Sequence, residues 1–483
     1  MRAMPEAVLT NPFAAADERA TGSTKILMAY VFLLFSRILE MLGVFGFENM
    51  RLMLVVSSTA LLVVLITGNM IRAIKTEIGA LLIALTMWML VAMPFSSWRS
   101  ETLNQFLNNW LKSLMVFIIV AGLTATTPIF RRLMRTMGWA AAASLILVLP
   151  GAFGGGDRLI GVGTLSNPNE VAFHFWLGMP FLIYLITQSR GLKKIVLVGI
   201  CGFELVMIMK TVSREGMLLA GAIGMLTLVR VSMGNKMKIV IISATMVLIA
   251  AVTLPREAIG RYMTLFSSNV NTDAAQSAAL SAKTRTQKLQ ESVELTLKHP
   301  IFGVGMGVFM PASVELTKAK GGTVDWQVSH NSYTQVSSEL GFPGFFLLIA
   351  LYISAFRQLI KAGKRAKAAG REDIRQIAFA LLLSLVVLSI HFCFDSMAYM
   401  FYLPLLMGLI TAFTATHAHE IAETFTADFE SRNFRAGRDG AQVADAFQPA
   451  IAGQWAGSPK EQPQLRPAQA RNPYRIGRKR THF

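Results

Sequence analysis

The 483-residue chain is 53% hydrophobic and only 15% charged, against about one-quarter charged residues in a soluble protein, which excludes an ordinary water-soluble fold. Its formal net charge of +18 would point to nucleic acid in a soluble protein. Here the basic residues are spread over short loops between apolar stretches, where membrane topology and anionic headgroups account for them, and no nucleic-acid partner is expected.

Runs such as LMLVVSSTALLVVLITG at 52–68 and IVIISATMVLIAAVTL at 239–254 approach the roughly 17–25 apolar residues that carry a helix through a bilayer with every backbone group satisfied internally. In chain order, the pattern predicts a cytoplasmic N-terminal segment over 1–25, without the features of a removable signal peptide. Nine transmembrane helices follow within 26–254, at 26–46, 52–71, 78–94, 111–127, 132–150, 170–187, 194–212, 215–232 and 237–254. The turn KTVSRE at 210–215 leaves little chain between the seventh and eighth. A large external loop is expected over 255–341, then three spans within 342–417, at 342–360, 376–394 and 398–416. Residues 418–483 turn polar, rich in Pro, Gln, Arg and Gly, and read as a disordered basic cytoplasmic tail. The expected fold class is an all-α polytopic membrane protein of about twelve transmembrane helices, with one large loop that itself contains helix.

Basic residues in short loops set the orientation. With the N-terminus inside, internal connections carry eighteen Lys and Arg, seven of them between 357 and 375. The short external turns and adjoining helix ends carry six: Arg51, Arg99, Lys112, Arg158, Lys210 and Arg214. Both termini are therefore expected in the cytoplasm.

Within the external loop, KTRTQKLQESVELTLKHP at 283–300 reads as a helix stopped by Pro300, with Leu289, Val293 and Leu297 forming an apolar stripe. That stripe is expected to rest on the membrane domain or on lipid. Glu294 and Lys298 stand at the favourable i, i+4 spacing on another face. GVGMGVF at 303–309 is a glycine-rich turn without the Lys-Ser/Thr of a phosphate-binding loop.

Chemistry has few places to sit. Arg214, at the outer mouth of the eighth span, runs against the positive-inside trend. Its local sequence fits equally a snorkelling arginine, an ion pair with Glu215, or a binding site. Arg285 lies on the loop helix, where a solvated face explains a cation more often than a site does. His330, with Asn331, Tyr333 and Gln335, precedes the tenth span and is one of few external groups able to exchange a proton near neutrality. Asn167 and Asn169 in SNPNE first signal a turn and a helix start. Arg37 and Glu40, at i, i+3 within the first span, read as a structural pair. No Asp-x-Asp or compact carboxylate cluster marks a divalent-metal site in the external loops, and no Walker motif marks ATP use, so neither metal nor cofactor is expected.

Four stretches in order carry a resemblance: RLIGVGTLSNPNEVAFHFWLGMP at 158–180, SREGMLLAG with an Arg-x-x-x-Leu motif from Arg214 to Leu218, HPIFGVGMGVF at 299–309, and HNSYTQVSSELG with His-x10-Gly from His330 to Gly341. Together with the span count and the late loop, they resemble the O-antigen ligase and O-antigen polymerase-like family of bacterial membrane glycosyltransferases, over most of 26–416. The basic tail has no counterpart in that pattern. The resemblance implies a GT-C-like enzyme of the bacterial inner membrane with a periplasmic active site. It would move a glycan, without a metal, from undecaprenyl diphosphate to lipid A-core or a similar acceptor; the alternative is a polymerase using the same donor. By the same resemblance Arg214 and Arg285 bind the diphosphate and His330 is catalytic, with Lys112, Asn167, Asn169 and Asn331 as further candidate substrate contacts. A transporter would instead call for mid-span ionisable residues and inverted repeats, of which the sequence offers little beyond Arg37 and Glu40. A scaffold would leave Arg214 and His330 without a role.

Overall fold

A computed structural model describes residues 21–44, 51–153, 158–231 and 273–417, with isolated positions between 233 and 262. Every regular element among these residues is helical. The longer helices, numbered along the chain, are α1 (Thr21–Ser36), α2 (Leu52–Ile66), α3 (Glu77–Phe95), α4 (Arg99–Leu123), α5 (Thr127–Ala152), α6 (Pro168–Thr187) and α7 (Gly191–Lys210). They continue with α8 (Arg214–Arg230), α9 (Asp273–Lys298), α10 (Phe309–Ala319), α11 (Ser332–Ala368), α12 (Glu372–His391) and α13 (Tyr402–His417).

Among the described residues six of these, α3, α4, α5, α6, α11 and α12, are long and apolar enough to cross a membrane, and α1, α2 and α13 are apolar but shorter. Twelve spans were expected, so half of them meet that length and hydropathy here. The ninth, 237–254, and the tail lie largely or wholly outside the described residues. α7 and α8 fall on the seventh and eighth expected spans, with only Thr211, Val212 and Ser213 between them. α7 carries Lys193, Lys194, Glu204 and Lys210, and this number of charged residues, not its hydropathy, sets it apart from the six.

The fourth helix begins well before the expected 111. Its polar first half is helical because side chains one turn apart bond each other: Gln105 Nε2 donates to Glu101 Oε1 at 2.7 Å and Asn108 Nδ2 to Asn104 Oδ1 at 2.6 Å. A π-turn at Phe106–Trp110 then brings the buried Trp110 indole N–H to Thr86 Oγ1 at 2.9 Å.

α6 is the packing centre, touching α5, α7, α8 and α12, with Phe173, Phe175 and Phe181 buried. α5 approaches it so closely that a Cβ on Gly138 would lie 2.6 Å from Phe181 O, the small-residue contact by which helices pack in lipid. α11 packs on α3, α9 and α12. Arg37 pairs with Glu40 at 3.3 Å and lies over the Phe401 and Tyr402 rings, a structural pair as its spacing indicates.

Candidate functional site

Two helix starts lie side by side. Asn167 caps α6, its Oδ1 accepting from Asn169 N at 3.0 Å, and Ser213 caps α8 by accepting from Gly216 N at 3.1 Å. Ser213 Oγ donates in turn to Asn169 Oδ1 at 2.7 Å, so the two caps share one hydrogen-bond chain. The α6 indole N–H of Trp176 donates to Gly216 O at 3.0 Å and closes the joint. Arg214 and Glu215 are the first residues of α8 and are fixed by this arrangement.

Glu215 is buried and hydrogen-bonded to Nδ1 of His391, which is itself fully buried at the end of α12 and stacked on Phe173 at a centroid distance of 3.7 Å. Asp395, one turn beyond, stands 4.0 Å from His391 Nε2. The 391–397 segment is bonded to the entry of α11. Ser332 N donates to Phe392 O at 2.7 Å, Ser332 Oγ to Asp395 O at 2.7 Å, and Met397 N to Ser332 Oγ at 2.8 Å. Ser329 and Ser396 hydroxyls meet at 2.8 Å. His330 sits inside this clasp with a φ of 53°, in the left-handed region uncommon for a side chain of its size. Burial, and next the positive charge of Arg285, hold the His330 imidazole below its ordinary pKa; Asp395 opposes them.

Arg285 comes from α9. That helix is anchored by its buried face: Lys288 Nζ reaches Glu291 Oε2 at 3.0 Å, Ser313 Oγ at 3.1 Å and Asp325 O at 3.1 Å. Thr296 and Ser337 hydroxyls join α9 to α11 at 2.8 Å. Burial pushes the Glu291 carboxyl up, but hydrogen bonds from Ser313, Lys288 and Gln287 outweigh it and hold the pKa below the ordinary value. Near its C-terminal end Pro300 O accepts from Phe342 N at 2.8 Å, beside the break in α11 at Gly341 (φ 68°). A Cβ on Gly341 would lie 2.1 Å from Ile301 O. The His-x10-Gly spacing is thus the distance from the His330 clasp to the point where the end of α9 abuts the broken helix.

The Arg285 charge acts on both His330 and Glu215, and Arg214 precedes Glu215 in the chain. The three residues singled out from sequence therefore converge around the Glu215–His391–Asp395 set at one end of the helices. The asparagines are differently placed. Asn331 is committed to the fold: its Oδ1 caps α11 at Tyr333 N and Thr334 N, both 3.0 Å, and its Nδ2 reaches Cys393 O at 3.4 Å. Asn167 is likewise occupied in a cap, and Asn169 Oδ1 accepts from the Ser213 hydroxyl. Lys112 is exposed, and its bond at 3.3 Å goes to Asn108 of its own helix.

Sequence reading missed His391 and Asp395 and gave Glu215 no place beyond a partner for Arg214. Two ionisable residues at i, i+4 in HFCFD, on the edge of an apolar span, were the available signal. The expected helix at 283–300 is longer than its motif, running Asp273–Lys298, and Glu294–Lys298 pair at 3.2 Å as their spacing predicts.

Residues 195–349 match the family model described as O-antigen ligase. The matched stretch holds Arg214, Arg285, His330 and Gly341, and ends within α11. No curated protein matches the chain. Residues 195–349 are thus similar to the O-antigen ligase family, in a chain with six helices long and apolar enough to cross a membrane among the described residues.

Proposed function

We propose that the chain transfers a glycan from undecaprenyl diphosphate to an acceptor sugar, lipid A-core in the first instance, at the periplasmic face of the bacterial inner membrane. One observation supports this above the rest. The Arg285 guanidinium from α9 acts on the His330 imidazole and lowers its pKa, and it acts also on Glu215, the neighbour of the arginine that opens α8. In this reading residues 255–341 lie in the periplasm and both termini in the cytoplasm, as the basic residues of the short loops indicate.

The acceptor hydroxyl oxygen attacks the anomeric carbon of the donor glycan, and the bond from that carbon to the diphosphate oxygen breaks with its electron pair on the leaving group. Undecaprenyl diphosphate departs with increased negative charge. Arg214 and Arg285 stabilise that charge selectively, because guanidinium groups bond phosphate oxygens in pairs and stay ionised; this is the work a divalent cation does elsewhere. His330, kept neutral by burial and Arg285, takes the hydroxyl proton, and Asp395 favours the imidazolium so formed. The Glu215–His391 bond positions both halves, tying the α8 start that carries Arg214 to the segment that clasps His330.

The protein reconstituted in nanodiscs, given a purified undecaprenyl-diphosphate-linked glycan and either lipid A-core or a second lipid-linked repeat, tests this. The expected result is glycan on lipid A-core, reduced about 10²–10⁴-fold by His330→Ala, the usual range for a lost general base. Extension of the lipid-linked repeat instead would make the enzyme a polymerase with the same donor. Transfer at the wild-type rate by both His330→Ala and Arg214→Ala would overturn the assignment.

A further inference from the structure

α9 has three faces, not two. Lys288, Glu291, Ser292, Leu295 and Thr296 are buried against α10 and α11. Lys298 and Glu294 form a polar edge. Between these runs the apolar stripe of Leu289, Val293 and Leu297, which is 39%, 46% and 65% exposed. The sequence allowed this stripe to rest on the membrane domain or on lipid; no other helix covers it among the described residues.

The stripe continues into surface that belongs to the spanning helices. Ile301 follows it at 57% exposure, and Phe342 and Phe346 of α11 are exposed at 38% and 62%. The Phe342 N to Pro300 O bond joins the two segments directly. Alongside, Phe302 stacks on Phe95 at 4.0 Å and on Trp88 at 5.7 Å, with Phe95 and Trp98 outward. Tryptophans mark the membrane–water boundary, so the end of α9 meets the spanning helices at that boundary. From Leu289 to Leu297 the stripe runs about 12 Å along the helix axis. A helix rising away from the bilayer would hold this length of apolar surface in water; one lying along the boundary covers it.

We propose that α9 lies in the membrane–water interface, with Leu289, Val293 and Leu297 seated in the acyl region of outer-leaflet phospholipids. The chemistry fits an amphipathic interfacial helix, apolar on one side and charged on the next. Arg285, one turn before Leu289, is thereby held at headgroup depth, where a lipid-borne diphosphate presents itself. The placement deepens the reading of the site as one for a lipid-linked substrate, but its test needs no substrate.

Single nitroxide labels at Val293→Cys, Leu297→Cys and Lys298→Cys, in the full chain carrying Cys201→Ala and Cys393→Ala, are read by power saturation in phosphatidylethanolamine–phosphatidylglycerol nanodiscs. Labels at 293 and 297 should favour oxygen over a water-soluble nickel chelate several-fold more than the label at 298. Leu289→Cys serves in place of either stripe variant that fails to insert. Chelate access at 293 and 297 equal to that at 298 would overturn the proposal, and so would shielding from both reagents, which would mean a protein partner or a second copy on the stripe. Loss of glycosyl transfer with the lipid signature intact would count against the catalytic reading alone.

Discussion

His330 holds a left-handed backbone conformation that costs an ordinary side chain roughly 1–2 kcal/mol, offset by the serine bonds on either side of it. The charge of Arg285 lowers the pKa of the His330 imidazole, and that of Asp395 raises it. Since burial and Arg285 dominate, the acid limb of the transfer rate should have its midpoint below the ordinary histidine value of about 6.5. Asp395→Asn removes the opposing charge and should move that midpoint lower still; a move upward in a pH–rate series would contradict the arrangement. Arg214 and His330 stood out by residue type and by position at the edges of apolar runs, whereas Arg285, in the middle of the loop, was singled out only by the family resemblance. The Glu215–His391 bond was not, because its partners are 176 residues apart and only the packing of α6, α8 and α12 brings them together.

Helix starts and breaks do the positioning. The caps at Asn167, Ser213 and Asn331 follow from residue types that accept backbone N–H groups, and the sequence signalled the first of them. What it could not signal is that the α8 cap Ser213 donates to Asn169 in the first turn of α6, or that Asn331, a candidate substrate contact, spends its amide on Tyr333, Thr334 and Cys393. The early start of α4 escaped notice for a related reason: its amide ladder satisfies polar side chains within the helix, where hydropathy alone ends the span. Gly341 gives a sharp test of the α9–α11 joint. Gly341 and Gly370 both have φ 68°, but a Cβ at 341 would meet Ile301 O at 2.1 Å whereas nothing lies within 4 Å at 370. Thermal unfolding of Gly370→Ala should show only the backbone cost, roughly 1–2 kcal/mol. Gly341→Ala should be clearly less stable than that and should lose transfer, and equal midpoints for the two variants would show that the joint is not tight.

Over the whole molecule, the apolar runs gave the class of fold, and six helices carry the length and hydropathy of spans among the described residues. Their packing around α6 was not readable from composition, since an apolar helix facing lipid and one facing protein look alike in sequence. The consequence of that packing is that three distant stretches of chain, at 214, 285 and 330, gather at one end of the helices. The most direct measurement of that claim is equilibrium binding of undecaprenyl diphosphate to the purified protein and to its Arg214→Ala and Arg285→Ala variants. A charged hydrogen-bonding group lost from a phosphate site costs about 1.5–3 kcal/mol, so each variant should bind roughly 10- to 100-fold more weakly, with undecaprenol distinguishing neither variant from the wild type. Unchanged affinity for the diphosphate in both variants would contradict the account.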